Sequence, residues 1–400
     1  MNLVALKSPS FRLYFLGGLF AVNGLWVMRI LIGWLAWELT QSASFVGLVA
    51  ALSLVPTFLT GPFFGVLVDR ANIKLAVFMT NTSMIICIAA LLAIHLSGQL
   101  NPNYLSLIAI AIGIASSAHH PVRMSLAPRL VEPQHVGSVV ALAALNFNTA
   151  RMISPAIGGI IIEQFGITTA MVLSLLCYLP SLIVIPFLQP RTSQGAKIKE
   201  PFLTALKNGI QYLWHRPELR LVLLMTALMS LSVRGTAEIL PVVADGLYNK
   251  GAIGLGQLGS AVGAGAVFSA MLKAFGSARP AKTLSISASA IMILGILSVA
   301  FFGNSNVWNI TLSAAAILGF ASTYLGVSLQ SSIQADLPDD MRGRVMSIWI
   351  VIATGASAMG AFTIGFATEI FGLSISTYGL TGICLALFVW LIISAKKEGG

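Results

Sequence analysis

The sequence predicts an all-α integral membrane protein whose twelve transmembrane helices form two six-helix halves. Of the 400 residues, 57% are apolar and only 9% are charged, and the mean hydropathy is +0.90. A water-exposed surface needs far more charge than this, so a soluble fold is excluded. Spanning helices of about 20 residues leave room for roughly twelve spans, and one polar stretch, residues 189–218, lies near the middle of the chain.

Twelve apolar runs follow one another along the chain, each long enough to cross a bilayer as a helix. The predicted halves are residues 1–188 and 219–400, separated by a cytoplasmic linker, 189–218. Apolar residues recur at helical spacing from Phe202 to Leu213, which predicts an amphipathic helix at the membrane surface. The predicted spans are 12–38, 44–68, 75–97, 104–121, 138–163, 167–188, 219–243, 254–275, 282–303, 308–330, 344–369 and 373–394.

The basic residues predict the orientation. Most of the 23 Lys and Arg residues fall near the termini, in the linker and in alternate links between runs, which the positive-inside rule assigns to the cytoplasm. Both termini are therefore expected to be cytoplasmic. The first apolar run is too long for a signal peptide and is expected to be a retained helix. The net charge of +10 follows from this topology, so it does not indicate a nucleic-acid partner.

No cofactor, no metal and no catalytic group is expected. Cys87, Cys177 and Cys384 lie far apart inside apolar runs, so they are interpreted as small buried side chains. His119 and His120 stand beside a proline at a predicted helix end, without an acidic residue nearby in sequence. A helix-end or cavity-lining pair explains them more simply than a zinc site. The sequence therefore does not predict an enzyme.

An internal repeat supports two related halves. Residues 127–136 (APRLVEPQHV) lead into a span that ends in Phe-Gly at 165–166. Residues 332–341 (SIQADLPDDM) lead into a span that ends in Phe-Gly at 371–372. The offset is about 205 residues, just over half the chain, as duplication of a six-helix unit requires.

The link between the second and third runs reads GPFFGVLVDRANIK. It places Gly65 where helix backbones can approach closely, and Asp69 at a helix end beside the cations Arg70 and Lys74. This arrangement resembles motif A of the major facilitator superfamily. The resemblance implies that Asp69 holds the N-terminal end of a helix in the other half, as a latch that opens when the transporter rocks. Asn72 replaces the family's common Gly and is expected to adopt the same left-handed turn.

A second motif lies in the fifth run, where residues 150–159 read ARMISPAIGG. It resembles motif C of the same superfamily, Gly-Pro-x-x-Gly-Gly, with Ser154 in place of the first Gly. In the family this motif is associated with exporters that exchange substrate for protons. Pro155 removes a backbone donor and bends the helix, while Gly158 and Gly159 allow close packing. A kinked packing helix without antiport is the simpler alternative.

Further stretches, spread over essentially the full length, resemble the branch of the superfamily that contains enterobactin exporters and macrolide efflux proteins. They are SFRLYFLGG at 10–18, WVMR at 26–29, WLAWELTQS at 34–42 and PDDMRGRVMS at 338–347. Asp336, Arg342 and Arg344 are expected to complete the conformational gate with motif A. The branch often has Asp before the first-span Trp, where this chain has Leu25. Coupling through that carboxylate is therefore not expected.

Charges inside the predicted spans are the main candidates for the substrate site, because a charge within the bilayer is costly. Arg29 in span one and Arg151 in span five have no carboxylate close by in sequence. Asn148 falls on the same face of span five as Arg151. Arg234 and Glu238 stand at i and i+4 in span seven, so either they pair with each other or Glu238 carries a coupled proton.

Together, the resemblance and these charges predict a secondary exporter of the bacterial inner membrane that works by alternating access. Excess intramembrane arginine favours an anionic or catecholate substrate such as a siderophore. A multidrug or macrolide exporter that relies on aromatic side chains, a lipid flippase and a membrane sensor are the alternatives. Expected partners are the small-molecule substrate, protons and the bilayer, with the protein acting as a monomer. The predicted substrate-binding residues are Arg29, Trp26, Asn148, Arg151, Arg234 and Tyr324, and the aromatic alternative adds Trp34 and Phe147.

Overall fold

The regular structure is helical throughout the described part of the chain. The computed structural model of the protein describes residues 4–70, 72–191, 210–213, 215–274, 286–335 and 337–398, and no strand occurs within these ranges. Of the predicted amphipathic linker helix, only residues 210–213 are described, and they are helical. The helices are α1 (Pro9–Thr40), α2 (Ala43–Arg70), α3 (Ile73–Leu96), α4 (Pro102–Leu126), α5 (Val136–Leu176), α6 (Leu179–Val184), α7 (Pro217–Met229), α8 (Gly251–Ala274), α9 (Ile286–Phe301), α10 (Trp308–Ala335), α11 (Asp339–Phe371) and α12 (Leu373–Glu398).

Polar side chains start several of these helices by accepting hydrogen bonds from the first backbone N–H groups. Asn101 Oδ1 accepts from Tyr104 N at 3.1 Å at the start of α4. Asn72 Oδ1 accepts from Lys74 N at 3.0 Å at the start of α3. The left-handed turn expected at Asn72 is therefore wrong, because its φ is −63° and it serves as an extended N-cap.

Eight helical stretches within the described ranges are long and apolar enough to cross a membrane, judged by length and composition. Many of their large apolar side chains face outward, and Ile86, Leu107 and Ile183 are each more than 60% exposed. Such apolar surface is typical of helices that contact lipid. The stretches are Pro9–Thr40, Ile73–Leu96, Pro102–Leu130, Pro133–Phe187, Gly251–Lys273, Trp308–Ala335, Arg344–Phe371 and Leu373–Ser394.

The fourth, fifth and sixth predicted spans differ from the helices observed. Helix α4 does not end at Pro121 but continues to Leu126, because neighbouring groups in a helical bundle can compensate for the hydrogen bond that proline removes. Helix α5 consists of two helical segments joined at Gly166, at the boundary predicted between the fifth and sixth spans, and the second segment ends at Leu176, before the predicted end at residue 188. The chain changes direction at Gly166, whose φ of 83° is a conformation that glycine adopts without strain.

The seventh predicted span, 219–243, was expected to be one continuous helix, and this is wrong. After α7 the chain forms a π-helical turn, Ser230–Arg234, and a second π-helical segment follows at Val242–Leu247. Between them the helical hydrogen-bonding pattern is interrupted. Pro241 contributes to the interruption, because it has no N–H to donate to a carbonyl one turn earlier. Single π-helical turns are frequent at functional sites.

The chain divides into two units, and the first contains most of the N-terminal half. Unit 1 consists of residues 1–41, 55–197 and 249–260. Within it α1 packs against α4, α5 and α6, and α3 packs against α4 and α5. Its buried apolar core includes Phe11, Val77, Val122, Leu126, Leu142 and Leu188.

Unit 2 consists of residues 42–54, 198–248 and 261–400. Within it α9 packs against α10 and α12, and α7 packs against α10, α11 and α12. Its buried apolar core includes Met225, Met229, Met292, Ile296, Leu325, Leu329, Val345 and Phe388. Helices α2 and α8 each begin in one unit and continue in the other.

Candidate functional site

Three of the predicted substrate-binding residues meet in unit 1. Arg29 and Trp26 lie on consecutive turns of α1, and Arg151 comes from α5. The guanidinium carbons of Arg29 and Arg151 lie 5.6 Å and 5.8 Å from the centroid of the Trp26 ring. Both distances are within the range of a cation–π contact. One indole ring is therefore shared by two cations from different helices.

An aromatic, apolar side chain also contacts the Trp26 ring. Phe147 of α5 meets the Trp26 ring edge-on, with 5.6 Å between ring centroids, a geometry favoured between aromatic rings. The indole Nε1 is buried and has no hydrogen-bond partner among the described residues. A buried indole N–H normally finds an acceptor, so this cluster combines two guanidinium groups with one buried donor that lacks a partner among the described residues.

Polar contacts between α1 and α5 hold the cluster in position. Ser154 Oγ donates to Asn23 Oδ1 at 2.6 Å, and Asn146 Nδ2 donates to the carbonyl oxygen of Gly18 at 3.3 Å. In an apolar surrounding such bonds fix the register of two helices, because breaking one leaves a polar group unsatisfied. Sequence reasoning missed Asn23 and Asn146. Their position within apolar runs was the only available signal.

Asn148, also predicted to bind substrate, makes a different contact. Its amide nitrogen donates to the carbonyl oxygen of Ala144 at 2.8 Å, within its own helix. This amide is therefore used locally, one turn before Arg151. Asn148 is half-buried and lies three residues before Arg151 in the sequence.

The motif-C residues face the first turns of α8 within unit 1. Beside Pro155, the N–H of Ala156 donates to Ser260 Oγ at 3.1 Å. A Cβ added to Gly159 would meet the carbonyl of Ala252, whereas a Cβ added to Gly158 would stand 3.7 Å from Val27. Close backbone approach therefore depends on Gly159 much more than on Gly158.

In unit 2, Arg234 precedes the interruption after α7 and Glu238 lies within it. Arg234 ends the first π-helical turn, and its Nη2 lies 2.8 Å from where a Cβ on Gly326 would stand. Glu238 is half-buried, and its N–H donates to the carbonyl of Gly235 at 3.1 Å. The i, i+4 spacing expected from a regular helix does not describe this pair, because the helix between them is not regular.

Tyr324 belongs to an aromatic group near the middle of α10. The ammonium of Lys273 lies 3.9 Å from the centroid of the Tyr324 ring, and the Tyr324 hydroxyl donates to Ser287 Oγ at 3.2 Å. Phe320 stacks on Tyr324 and is also near Phe268, with ring centroids 5.9 Å apart in both pairs. A cation held on an aromatic face is the main polar feature of this group.

Most of the predicted gate residues cannot be placed by their side chains. Asp336, the surroundings of Gly65 and the side chains of Asp69, Arg70 and Arg342 lie outside the described parts of the protein.

Two gate residues are described. The ammonium of Lys74 donates to the carbonyl oxygen of Pro186 at 2.9 Å. Arg344 Nη1 lies 3.6 Å from the sulfur of Met341. Lys74 thus ties the start of α3 to the end of the sixth predicted span.

His119 lines a small cleft within unit 1. The cleft is also lined by Tyr14, Asn81 and Arg123, and Tyr14 Oη and Asn81 Oδ1 are buried without a hydrogen-bond partner. Ordered water normally satisfies such groups. Among the described residues, no group of three or more His, Cys, Asp or Glu side chains is arranged to hold a metal ion.

Comparison with known proteins establishes the family. Residues 2–398 match a family of the major facilitator superfamily described as transmembrane secretion effector. The chain belongs to this family. The family is one of transporters, so the protein is a membrane transporter and not an enzyme.

Curated relatives cover almost the whole protein. Enterobactin exporters from Shigella boydii serotype 4 and from Escherichia coli O9:H4 are each 24% identical over 406 aligned positions, which cover 98% of this chain and 94% of the relative.

Solved structures share the fold. A POT family transporter in complex with 5-aminolevulinic acid has a TM-score of 0.71 at 12% identity, covering 97% of this chain and 96% of its own. The human organic anion transporter MFSD10 has a TM-score of 0.62 at 14% identity, covering 96% of this chain and 98% of its own. At such identity these neighbours show the architecture alone.

Proposed function

We propose that the protein is a twelve-span exporter that moves a small organic anion out of the bacterial cell by alternating access, driven by protons. The observation that carries the proposal is the pair of arginines on Trp26. Two guanidinium groups beside an unused indole N–H form a donor-rich site that suits a carboxylate or catecholate. The relatives' printed name, enterobactin exporter, is consistent with a catecholate siderophore.

Twelve spans follow if shorter or interrupted helices also cross the membrane. The stretch Pro133–Phe187 has 55 residues, enough for two crossings on either side of Gly166. Helix α2, helix α9 and the interrupted chain from α7 to Leu247 would supply the others. Broken spanning helices are common in transporters, where they line the substrate path.

Orientation, coupling and gating complete the proposal. The basic termini and linker are cytoplasmic and the membrane is the inner membrane. Glu238, beside the interruption after α7, is the proton-coupling carboxylate. Asp69, Arg70 and Lys74 form the cytoplasmic gate with the second-half link that contains Arg344, and the protein acts as a monomer.

The arginine site is tested by exchanging the guanidinium groups. Arg29→Lys and Arg151→Lys keep the charge but lose the planar, forked donor. We expect each to weaken binding of a tricatecholate siderophore by roughly tenfold or more, corresponding to about 1.5–3 kcal/mol for a charged hydrogen bond. Binding is measured on purified protein by titration calorimetry, and binding of a cationic dye should change much less.

The matched control is Arg129→Lys. Arg129 also lies in unit 1, but its guanidinium donates to Ser125 Oγ, away from Trp26. It should leave siderophore binding unchanged. Equal losses for the anion and the dye in the Arg29 and Arg151 variants would mean that both arginines are structural, and the anion-export proposal would fall.

Drug or macrolide efflux is the second candidate, favoured by the aromatic group of Phe268, Phe320 and Tyr324. Apolar aromatic surfaces bind amphipathic drugs without requiring a fixed charge pattern. Under this alternative, Tyr324→Ala would reduce drug export while the arginine variants would retain it.

A further inference from the structure

A carboxylate near the end of the first segment of α5 holds the start of α8. Glu163 Oε2 accepts a hydrogen bond from the N–H of Ala252 at 3.0 Å. A side chain at Gly251 would collide with this carboxylate, since an added Cβ would stand 2.6 Å from Oε2, and the φ of Gly251 is 57°. The first turn of α8 is therefore shaped around Glu163.

An equivalent carboxylate in unit 2 holds the start of α2. Glu369 Oε2 accepts from Ala43 N at 2.8 Å, from Ser44 N at 3.3 Å and from the Ser42 hydroxyl at 3.1 Å. The first N–H groups of a helix have no partner within the helix. A carboxylate there also meets the positive end of the helix dipole.

The two contacts occupy matching positions in the internal repeat. Glu163 stands three residues before Gly166, and Glu369 stands three residues before Gly372. Both glycines have positive φ, 83° and 81°. The chain therefore turns at the same distance after each carboxylate.

Glycines pack the helices together directly behind each carboxylate. One turn before Glu163, Gly159 faces Gly256 of α8, and one turn before Glu369, Gly365 faces Gly47 of α2. Each contact is thus a carboxylate cap followed by a close glycine crossing. We name these contacts the α5–α8 latch (Glu163 with Ala252) and the α11–α2 latch (Glu369 with Ala43).

The latched helices are the two that pass from one unit to the other. Helix α2 passes at residues 54–55 and α8 at residues 260–261. Pro56 lies just after the first passage and Gly259 just before the second. Proline and glycine are the residues at which helices most often bend. Any relative movement of the two units must therefore bend these helices or release their latched ends.

We propose that the α5–α8 and α11–α2 latches are paired gates that open and close in each transport cycle, with Glu163 and Glu369 setting how often they open. Rocking of one repeat against the other requires contacts that can be broken reversibly. A carboxylate on a helix start suits this role, because it is specific in position yet modest in strength. The inference concerns gate residues and depends on neither the substrate nor the coupling ion proposed above.

Amide hydrogen exchange measures each latch directly. The purified, full-length protein in lipid nanodiscs is compared with Glu163→Gln and Glu369→Gln, which keep an acceptor oxygen but remove the charge. Each variant should speed exchange at its own helix start by roughly 2- to 30-fold, the range expected for losing a carboxylate from a helix N-terminus. Residues 252–255 report on the first variant and residues 43–46 on the second.

Glu132→Gln is the matched control. Glu132 is an exposed carboxylate before α5 whose side chain accepts from Gln134 and makes no capping bond. It should change exchange at neither helix start. Unchanged exchange at both starts in the Glu163→Gln, Glu369→Gln double variant would overturn the proposal, and so would a uniform rise over the whole chain, which indicates general unfolding.

A reversible cross-link across one latch tests whether the latch must open during transport or only caps a helix permanently. In a protein whose three cysteines are replaced by serine, Glu369→Cys and Ala43→Cys are joined by a short reductant-cleavable thiol cross-linker. Cross-linking should abolish substrate export from inverted vesicles or proteoliposomes, and reduction should restore it. Export that continues in the cross-linked protein would refute gating. If the wild-type protein exports no organic anion, the proposed substrate class is refuted. The amide hydrogen exchange at the two helix starts still tests the latches, because it does not depend on the substrate.

Discussion

Arg29 and Arg151 approach the same indole from different helices, and the proposed function assigns this arrangement to substrate binding rather than to stability. A cation–π contact contributes about 0.5–2 kcal/mol. Two like charges near one ring repel each other, so the pair is a poor way to hold α1 against α5. The hydrogen bonds of Asn23 and Asn146 already perform that task. Under the proposed function, both guanidinium groups contact the anionic ligand.

Glu238 is the side chain on which proton coupling is tested. Glu238→Gln should abolish export driven by a pH gradient while leaving substrate binding within about twofold, because Gln keeps the shape but cannot release a proton. Export is measured in proteoliposomes with and without an imposed gradient. Glu218→Gln, at the start of α7, is the control and should behave like the wild type.

The contrary outcome for Glu238 is equally specific. If the carboxylate only balances the charge of Arg234, Glu238→Gln should be poorly produced because it leaves a half-buried cation uncompensated. Adding Arg234→Gln should then restore both production and transport. A working double variant would exclude a proton-carrying role.

The sequence identified some of the important side chains and missed others. Arg29 and Arg151 stood out because charges are rare in apolar runs, and the structure brings both to Trp26. Glu163 and Glu369 were not singled out, although their equivalent places before the two glycine turns could have revealed them. Their partners are backbone N–H groups at helix starts distant in sequence, and a backbone partner leaves no pattern in residue types.

The paired glycines of α5 allow a test of helix packing. Gly159→Ala should destabilise the protein by about 1–3 kcal/mol, because its Cβ would press on the backbone of α8. Gly158→Ala should be neutral or stabilising by up to about 1 kcal/mol, since its Cβ finds ordinary contact and alanine favours the helix. Thermal unfolding in detergent measures both.

Equal destabilisation by the two alanines would contradict the packing described for α5. Transport provides a second comparison. Gly158→Ala should export at the wild-type rate, whereas Gly159→Ala should not.

Helix positions followed from apolar runs, but helix interruptions did not. The run 219–243 is mostly apolar, and its charged residues are Arg220 near its start and Arg234 and Glu238 within it, so hydropathy alone indicates an unbroken span. The interruption depends on Pro241 and on the approach of Gly235 to Gly360 of α11. Only the second of these is a tertiary contact, and no local pattern encodes it. Bends at Gly166 and Gly372, by contrast, coincide with the predicted span ends.

The orientation of the whole chain can be tested with single reporter cysteines. After replacement of the three native cysteines by serine, Gln99→Cys lies between α3 and α4 and Gln134→Cys between α4 and α5. A membrane-impermeant maleimide should label Gln99→Cys on intact cells and Gln134→Cys only after the membrane is opened. We expect this result because the positive-inside rule places the basic termini in the cytoplasm.

Labelling in the reverse order would place the termini outside and invalidate the topology derived from basic residues. Labelling of both reporters on intact cells would indicate leaky membranes and is checked with a cytosolic marker protein. The family assignment would be unaffected by either result.

The α11–α2 latch also governs how the protein can be made. Ala43 and Glu369 are 326 residues apart in the chain, whereas Ala252 and Glu163 are only 89 apart. At about 5–20 residues per second, a ribosome needs roughly 16 to 65 seconds to synthesise the longer interval. During that time α2 lacks the carboxylate that accepts from the N–H groups of Ala43 and Ser44. Biogenesis therefore closes two equivalent contacts in a fixed order, and a chain truncated before residue 369 would leave the earlier helix start exposed to quality-control proteases.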